Sequence, residues 1–186
     1  MKKIAFSLLF VSLLFMGQSC GAKDPVTNEP VNVPEKKIIY VGEPAEAGNI
    51  THTVTKAEQL DTIPAAATIE RFKNIAADKK AAEGFTYVHV LGKTKNNGEL
   101  PETIDTNALK IIDDTGEKHK FATDVTLYVE DEKFPTFIDV EPTKTVEWEA
   151  YFLVPNVAKN LQLQVTDLQI IPEATAEIEL GIADTK

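Results

Sequence analysis

Over much of the chain apolar and polar residues alternate with a period of two. The clearest stretch is 144–155. There Val146, Trp148, Ala150, Phe152 and Val154 fall on one side, and Thr145, Glu147, Glu149, Tyr151 and Leu153 on the other. Successive side chains of a strand point to opposite faces, so this run predicts a strand with one buried and one mostly wet face. Leu161, Leu163 and Val165 alternate in the same way with Gln162, Gln164 and Thr166, and Ile178 and Leu180 with Glu177 and Glu179. Val88 and Val90 alternate with Tyr87 and His89, where both faces carry apolar character. This pattern predicts strands at 38–41, 52–60, 85–95, 108–113, 118–127, 137–140, 145–154, 161–168 and 176–182. Short strands separated by turn signals predict an all-β sandwich or barrel.

The turn residues support that reading. Asn96-Asn97-Gly98 and Asp113-Asp114-Thr115-Gly116 each follow a predicted strand. Asn and Gly tolerate positive φ, which tight connections need. The second turn predicts a hairpin of 108–113 with 118–127. Only 64–84, PAAATIERFKNIAADKKAAEG, departs from the pattern. Ile69, Phe72 and Ala76 have helical spacing and Gly84 is a good stop. The segment reads as a short crossing helix or as a strand around 68–73 with a loop, with a short helix near 78–83 favoured.

The N-terminus changes the picture from a soluble domain to an attached one. Lys2 and Lys3 precede a thirteen-residue apolar run, 4–16, broken by Ser7 and Ser12. A membrane-spanning helix needs ~20 apolar residues, whereas this length suits the core of a signal peptide. The run ends in Met16-Gly17-Gln18-Ser19-Cys20, and Cys20 is the only cysteine. This resembles a bacterial lipoprotein signal, in which a small residue precedes a cysteine that is diacylated and becomes the mature N-terminus. Ser19 fits that pattern; Gly17 stands where Leu is commonest. The resemblance implies lipidation of Cys20 and residence in the cell envelope, facing the periplasm or the surface. Residues 1–19 are then the signal and 20–37 a lipidated, Pro-rich tether carrying Pro25, Pro30 and Pro34. Residues 38–186 are the folded domain. Proline-rich chain reaches ~3.1 Å per residue, so the tether spans at most about 50 Å.

The runs GFTYVHVLGKTKNNG (84–98), ALKIIDDTGEKHKF (108–121) and VEWEAYFLVPNVAKNLQLQV (146–165) together resemble a bacterial domain family of unknown function. That family is telokin-like and immunoglobulin-like, occurs in secreted proteins and lipoproteins, and is similar in fold to a mycobacterial immunoprotective secreted antigen. The resemblance covers about 50–182 and implies an immunoglobulin-like sandwich of seven to nine strands outside the cytoplasm. It implies no catalytic residues.

Composition then narrows the chemistry. The 186 residues carry 19 Lys+Arg against 29 Asp+Glu, a net charge of −10. Loss of Lys2 and Lys3 with the signal takes the mature chain to −12. Binding nucleic acid needs clustered Lys/Arg to displace counterions, so it is not expected. A single cysteine excludes an internal disulfide, a cysteine-based zinc site and an iron–sulfur cluster. The only serines are Ser7, Ser12 and Ser19, all in the signal. The mature chain therefore has no Ser-His-Asp triad.

His52, His89 and His119 lack the short spacing of metal-ligand pairs and read as exposed strand residues. Asp113/Asp114 and Glu130-Asp131-Glu132 are the paired carboxylates. They read as solvated loop charge, not as two carboxyls facing across a cleft. Asp113 to Glu117 resembles a calcium loop but lacks the alternating acidic spacing, and the sequence leaves a calcium role there open. Trp148 reads as core, while Tyr151 and Tyr128 read as surface aromatics suited to an interface. The expectation is a non-enzyme without cofactor or resident metal. It would bind an envelope protein or glycan, or serve as an accessory subunit of an envelope complex; a carboxylate-based hydrolase ranks below both.

Overall fold

The three long alternating runs pair with one another, which is how each buries its apolar side. In the computed structural model, which describes residues 38–65, 70, 77–105, 107–130, 132–135, 137–166 and 174–182, β3 (Ile50–Leu60), β6 (Phe85–Asn96) and β11 (Thr145–Pro155) form antiparallel neighbours. With β2 (Pro44–Ala47) they make a four-stranded sheet in the order β11-β6-β3-β2. The second main sheet has five strands, β1 (Ile39–Tyr40), β13 (Thr175–Glu179), β12 (Gln162–Thr166), β8 (Leu109–Ile112) and β9 (Lys118–His119), in that spatial order. Two small pairs complete it: β4 (Thr62–Ile63) with β5 (Lys79–Lys80), and β7 (Glu102–Ile104) with β10 (Ile138–Val140).

Val54, Val88, Val90, Trp148, Ala150 and Phe152 of the first sheet share one core with Leu109, Ile111, Leu163, Val165 and Ile178 of the second. The fold is thus an immunoglobulin-like β-sandwich with nine strands in its two main sheets. The interior faces of β11 and β12 are those the alternation predicted.

Trp148 is buried and packs across the sheet onto Gly92, its register partner. A Cβ on Gly92 would lie 2.1 Å from the indole Cζ2. The glycine is there for space.

Three expectations are corrected. Residues 79–80 are strand, not helix: Thr62 pairs with Lys80 and Ile63 with Lys79, and the Ala81 N–H donates to the Asp61 carbonyl at 2.9 Å. Long-range pairing thus overrides the helical propensity of an Ala-rich run. Residues 66–69 and 71–76 of that segment lie outside the described residues.

The strand expected at 118–127 is only β9. Beyond it the chain crosses to the other sheet, where Phe121 bridges Phe152 and the Ala122 N–H donates to the Tyr151 carbonyl. A short 3-10 turn follows at Thr123–Val125.

The connection at Asn96-Asn97-Gly98 does not rest on positive φ. Instead the Asn96 side chain donates to the Leu100 and Val140 carbonyls at 2.7 and 2.9 Å and accepts from the Gly98 N–H. In the hairpin turn, Gly116 does take φ +82°, as that turn predicted.

The chain divides into Met1–Glu35 and Lys36–Lys186. The signal, Cys20 and the tether lie outside the described residues. Among the described residues no helix is long and apolar enough to cross a membrane.

Candidate functional site

The three histidines, expected to be exposed, are all buried, and each is committed to a different structural contact. His52 lies on the core side of β3. Its Nδ1 is 2.8 Å from Thr94 Oγ1, which also accepts the Trp148 indole N–H at 2.9 Å. The other ring nitrogen, Nε2, has no partner. Burial pushes the His52 pKa down to about 4.

His89 points the other way, off the outer face of the four-stranded sheet. Glu58 reaches it because of a bulge: the β3–β6 register shifts between Val54 and Lys56. The extra residue inverts the alternation beyond it, so Ala57 turns in and Glu58 turns out opposite His89. The ring is held at both ends, Nδ1 3.0 Å from Glu58 Oε1 and Nε2 2.8 Å from Glu149 Oε1. Tyr151 stacks on it at 4.2 Å and donates to Glu149 Oε1 at 3.3 Å.

Lys56, then His89, hold the Glu58 carboxyl below its ordinary range. Burial, then Glu149, push the Tyr151 hydroxyl up. Both ring nitrogens are taken up by carboxylates of the protein itself. The two carboxylates also sit at opposite ends of the ring and do not converge on one point. The cluster is a clamp across β3, β6 and β11.

His119 Nε2 is 2.9 Å from Asp113 Oδ2, and Oδ1 accepts from the Thr115 N–H, the Thr115 hydroxyl and the Glu117 N–H at 2.9, 2.6 and 3.0 Å. Burial would raise the Asp113 pKa. The bonds from Thr115, His119 and the Glu117 backbone outweigh it and bring it down to about 2. With four donors aimed at it, this carboxylate organises the hairpin turn and does not turn outward to gather a cation. Among the described residues no group of three or more His, Cys, Asp or Glu is placed to hold a metal. Glu130 pairs with Lys133 at 2.8 Å on the surface, and Asp131 lies outside the described residues.

Asp113→Ala is expected to cost roughly 2 kcal/mol at pH 7, because a buried histidine and a turn lose their acceptor. A depressed carboxylate stabilises above its unfolded pKa and less as pH falls through its folded one. The difference between wild type and variant should therefore close between pH about 4 and about 2. Urea titrations at pH 7 and pH 2.5 measure it; equal stability at pH 7 would refute the role of the turn carboxylate.

Trp148 is core, as expected. Tyr151 and Tyr128, expected at the surface, are buried. Tyr128 donates to the Ala77 carbonyl, and a chain segment covers the edge of β11, where the Glu149 N–H donates to the Lys133 carbonyl. Among the described residues the exposed large apolar side chains are Ile38, Tyr40, Phe85, Leu100, Phe137 and Val157. One depression of about 260 Å³ opens at the bulge between Thr55, Lys93, Lys133 and Glu147.

A family profile described as "Domain of unknown function (DUF4352)" matches residues 39–173. Among solved structures the chain is similar to a Bacillus subtilis protein described as a "putative lipoprotein (ycdA)". The identity is 17%, the TM-score 0.52, and the match covers 74% of this chain and 38% of that one. This chain therefore spans well under half of that protein. It is also similar to the yjhA protein of Bacillus subtilis, at 15% identity and TM-score 0.53, over 77% of this chain and 99% of that one. A functionally unknown protein of Listeria monocytogenes matches at 8% identity and TM-score 0.50, over 76% and 82% of the two chains. At these identities the likeness is one of fold. No curated protein matches the chain.

Proposed function

We propose that this chain, which belongs to the DUF4352 family over residues 39–173, is a lipid-anchored lipoprotein of the cell envelope whose sandwich binds other molecules without transforming them. The observation that carries the reading is the position of Cys20, the chain's only cysteine, directly after a signal-length apolar run. The lipoprotein description of one structural neighbour accords with it. For the domain, the support is that His52, His89, His119 and Asp113 are each spent on holding strands or a turn. The telokin-like resemblance noted above belongs to the same reading: such sandwiches recognise partners through end loops and surfaces. A second reading, an accessory subunit of an envelope complex, draws on the exposed Leu100, Phe137 and Val157.

Each buried CH₂ of an acyl chain contributes ~0.8 kcal/mol, and two or more chains anchor stably. Wild type is expected in the membrane fraction carrying labelled palmitate. Cys20→Ala should lose the label entirely and accumulate as unprocessed precursor. A Cys20→Ala chain that is still labelled would sink the proposal.

A further inference from the structure

We propose that a cavity at the edge of the five-stranded sheet is a binding site for a phosphate group carried on a small ligand. Its volume is about 240 Å³, and Asn107, Lys110, Lys120, Phe121 and Thr123 line it. The β8–β9 register pairs Ile112 with Lys118 and Ile111 with His119. One step further along, that register brings Lys110 and Lys120 to the same cavity. Like charges on facing strand positions repel. A chain of net charge −10 has ample carboxylates to neutralise them, yet neither lysine is ion-paired with a carboxylate among the described residues.

Three acids nearby in sequence, Asp105, Asp113 and Asp124, are committed elsewhere. Asp105 accepts from the Asn107 and Ala108 N–H groups of its own turn. Asp113 holds the hairpin, and Asp124 pairs with Lys79. Two cations without a carboxylate partner are left beside the Thr123 hydroxyl and the Asn107 amide, whose Nδ2 also lies 3.4 Å from Asp105 Oδ2.

The frame around them is held by contacts of its own. Asp113 and His119 fix the hairpin from which Lys120 extends. Phe121 is wedged edge-on between Phe134 and Phe152, with ring centres 4.8 and 5.9 Å away. Lysine ammonium groups act as compact point charges with three donors each, which suits a tetrahedral phosphate. A phosphate brings three acceptor oxygens and up to two negative charges to two such cations, where a carboxylate brings two oxygens and one charge. The volume lies below the range of about 300–1,000 Å³ usual for small-molecule sites, so the cavity takes one phosphate and little more.

The site rests on the reading of the domain as a binding module and names a ligand class for it. The test uses the ¹⁵N-labelled mature chain titrated with inorganic phosphate, glycerol phosphate and acetate. Phosphate is expected to give saturable shifts at the amides of Asn107, Lys110, Lys120 and Thr123, weakening as salt rises. Lys110→Gln with Lys120→Gln should weaken binding at least about tenfold, since two charged hydrogen bonds are lost. Lys93→Gln with Lys144→Gln, on other parts of the surface, should leave it unchanged. Tighter binding of glycerol phosphate than of phosphate would show that the ligand carries the group on a polyol. Linear shifts spread over many lysines, an equal response to acetate, or wild-type affinity in the folded double variant would each overturn the site. Such a failure leaves the anchoring of Cys20 untouched, because no step of the titration depends on the lipid.

Discussion

Gly92→Ala is expected to destabilise the sandwich by about 3 kcal/mol or more, a large share of the ~5–15 kcal/mol a domain of this kind has to lose. Two effects compete at this position. Alanine is intrinsically better than glycine within a strand by roughly 0.5–1 kcal/mol. Against that, the new methyl carbon would lie 2.1 Å from Trp148 Cζ2 and 2.4 Å from Cε2. The indole cannot give way cheaply: it is fully buried, and its N–H is bonded to Thr94. Moving it breaks that bond and disturbs His52, which shares the same hydroxyl. The steric cost therefore wins. Urea denaturation followed by circular dichroism measures the loss. In a Trp148→Leu background the clashing atoms are gone, and the cost of Gly92→Ala should fall below ~1 kcal/mol or reverse sign. An equal cost in both backgrounds would show that the indole is not its cause.

The parts of the fold that were legible in the sequence are those governed by local alternation. The interior face of β11 and the burial of Trp148 follow from a period of two against a polar opposite face. What escaped depends on contacts far apart in the chain. The outer face of β11 looked wet because Tyr151 stands among Glu147 and Glu149. Residues 121–122 and 133 lie along that strand edge, and Tyr151 ends buried. The bulge at Val54/Lys56 has no sequence signature of its own, yet it decides that Glu58 faces His89. Lys79–Lys80 forms a strand only because Thr62 and Ile63 are there to receive it. The candidate chemistry divides in the same way. The hairpin at Asp113–Gly116 was readable from its turn residues. That Asp113 also receives His119, six residues on, follows from the pairing of the two arms. The basic cavity was visible only as scattered single lysines, since Lys110 and Lys120 meet through strand register.

Acid should weaken this domain in two windows, and the larger one belongs to His52. Its folded pKa is about 4 against an ordinary 6.5, because burial penalises the charged ring. Between those values the unfolded chain binds a proton that the native chain refuses. Stability therefore falls as pH drops from about 6.5 to about 4, and below that the folded state takes up the proton too and this contribution levels off. A shift of this size corresponds to about 3 kcal/mol at 1.36 kcal/mol per unit. Burial is the structural reason for the penalty: the ring has no exposed surface, its Nε2 has no partner, and it lies on the same strand face as Val54 and shares the Thr94 hydroxyl with Trp148. His52→Gln can still accept from Thr94 and cannot titrate. It is expected to flatten the stability profile between pH 6.5 and 4, while the Asp113 window between about 4 and 2 remains. Urea midpoints taken at half-unit steps from pH 7 to 2 resolve the two windows. A variant whose profile keeps the full wild-type slope above pH 4 would show that some other group carries the acid sensitivity.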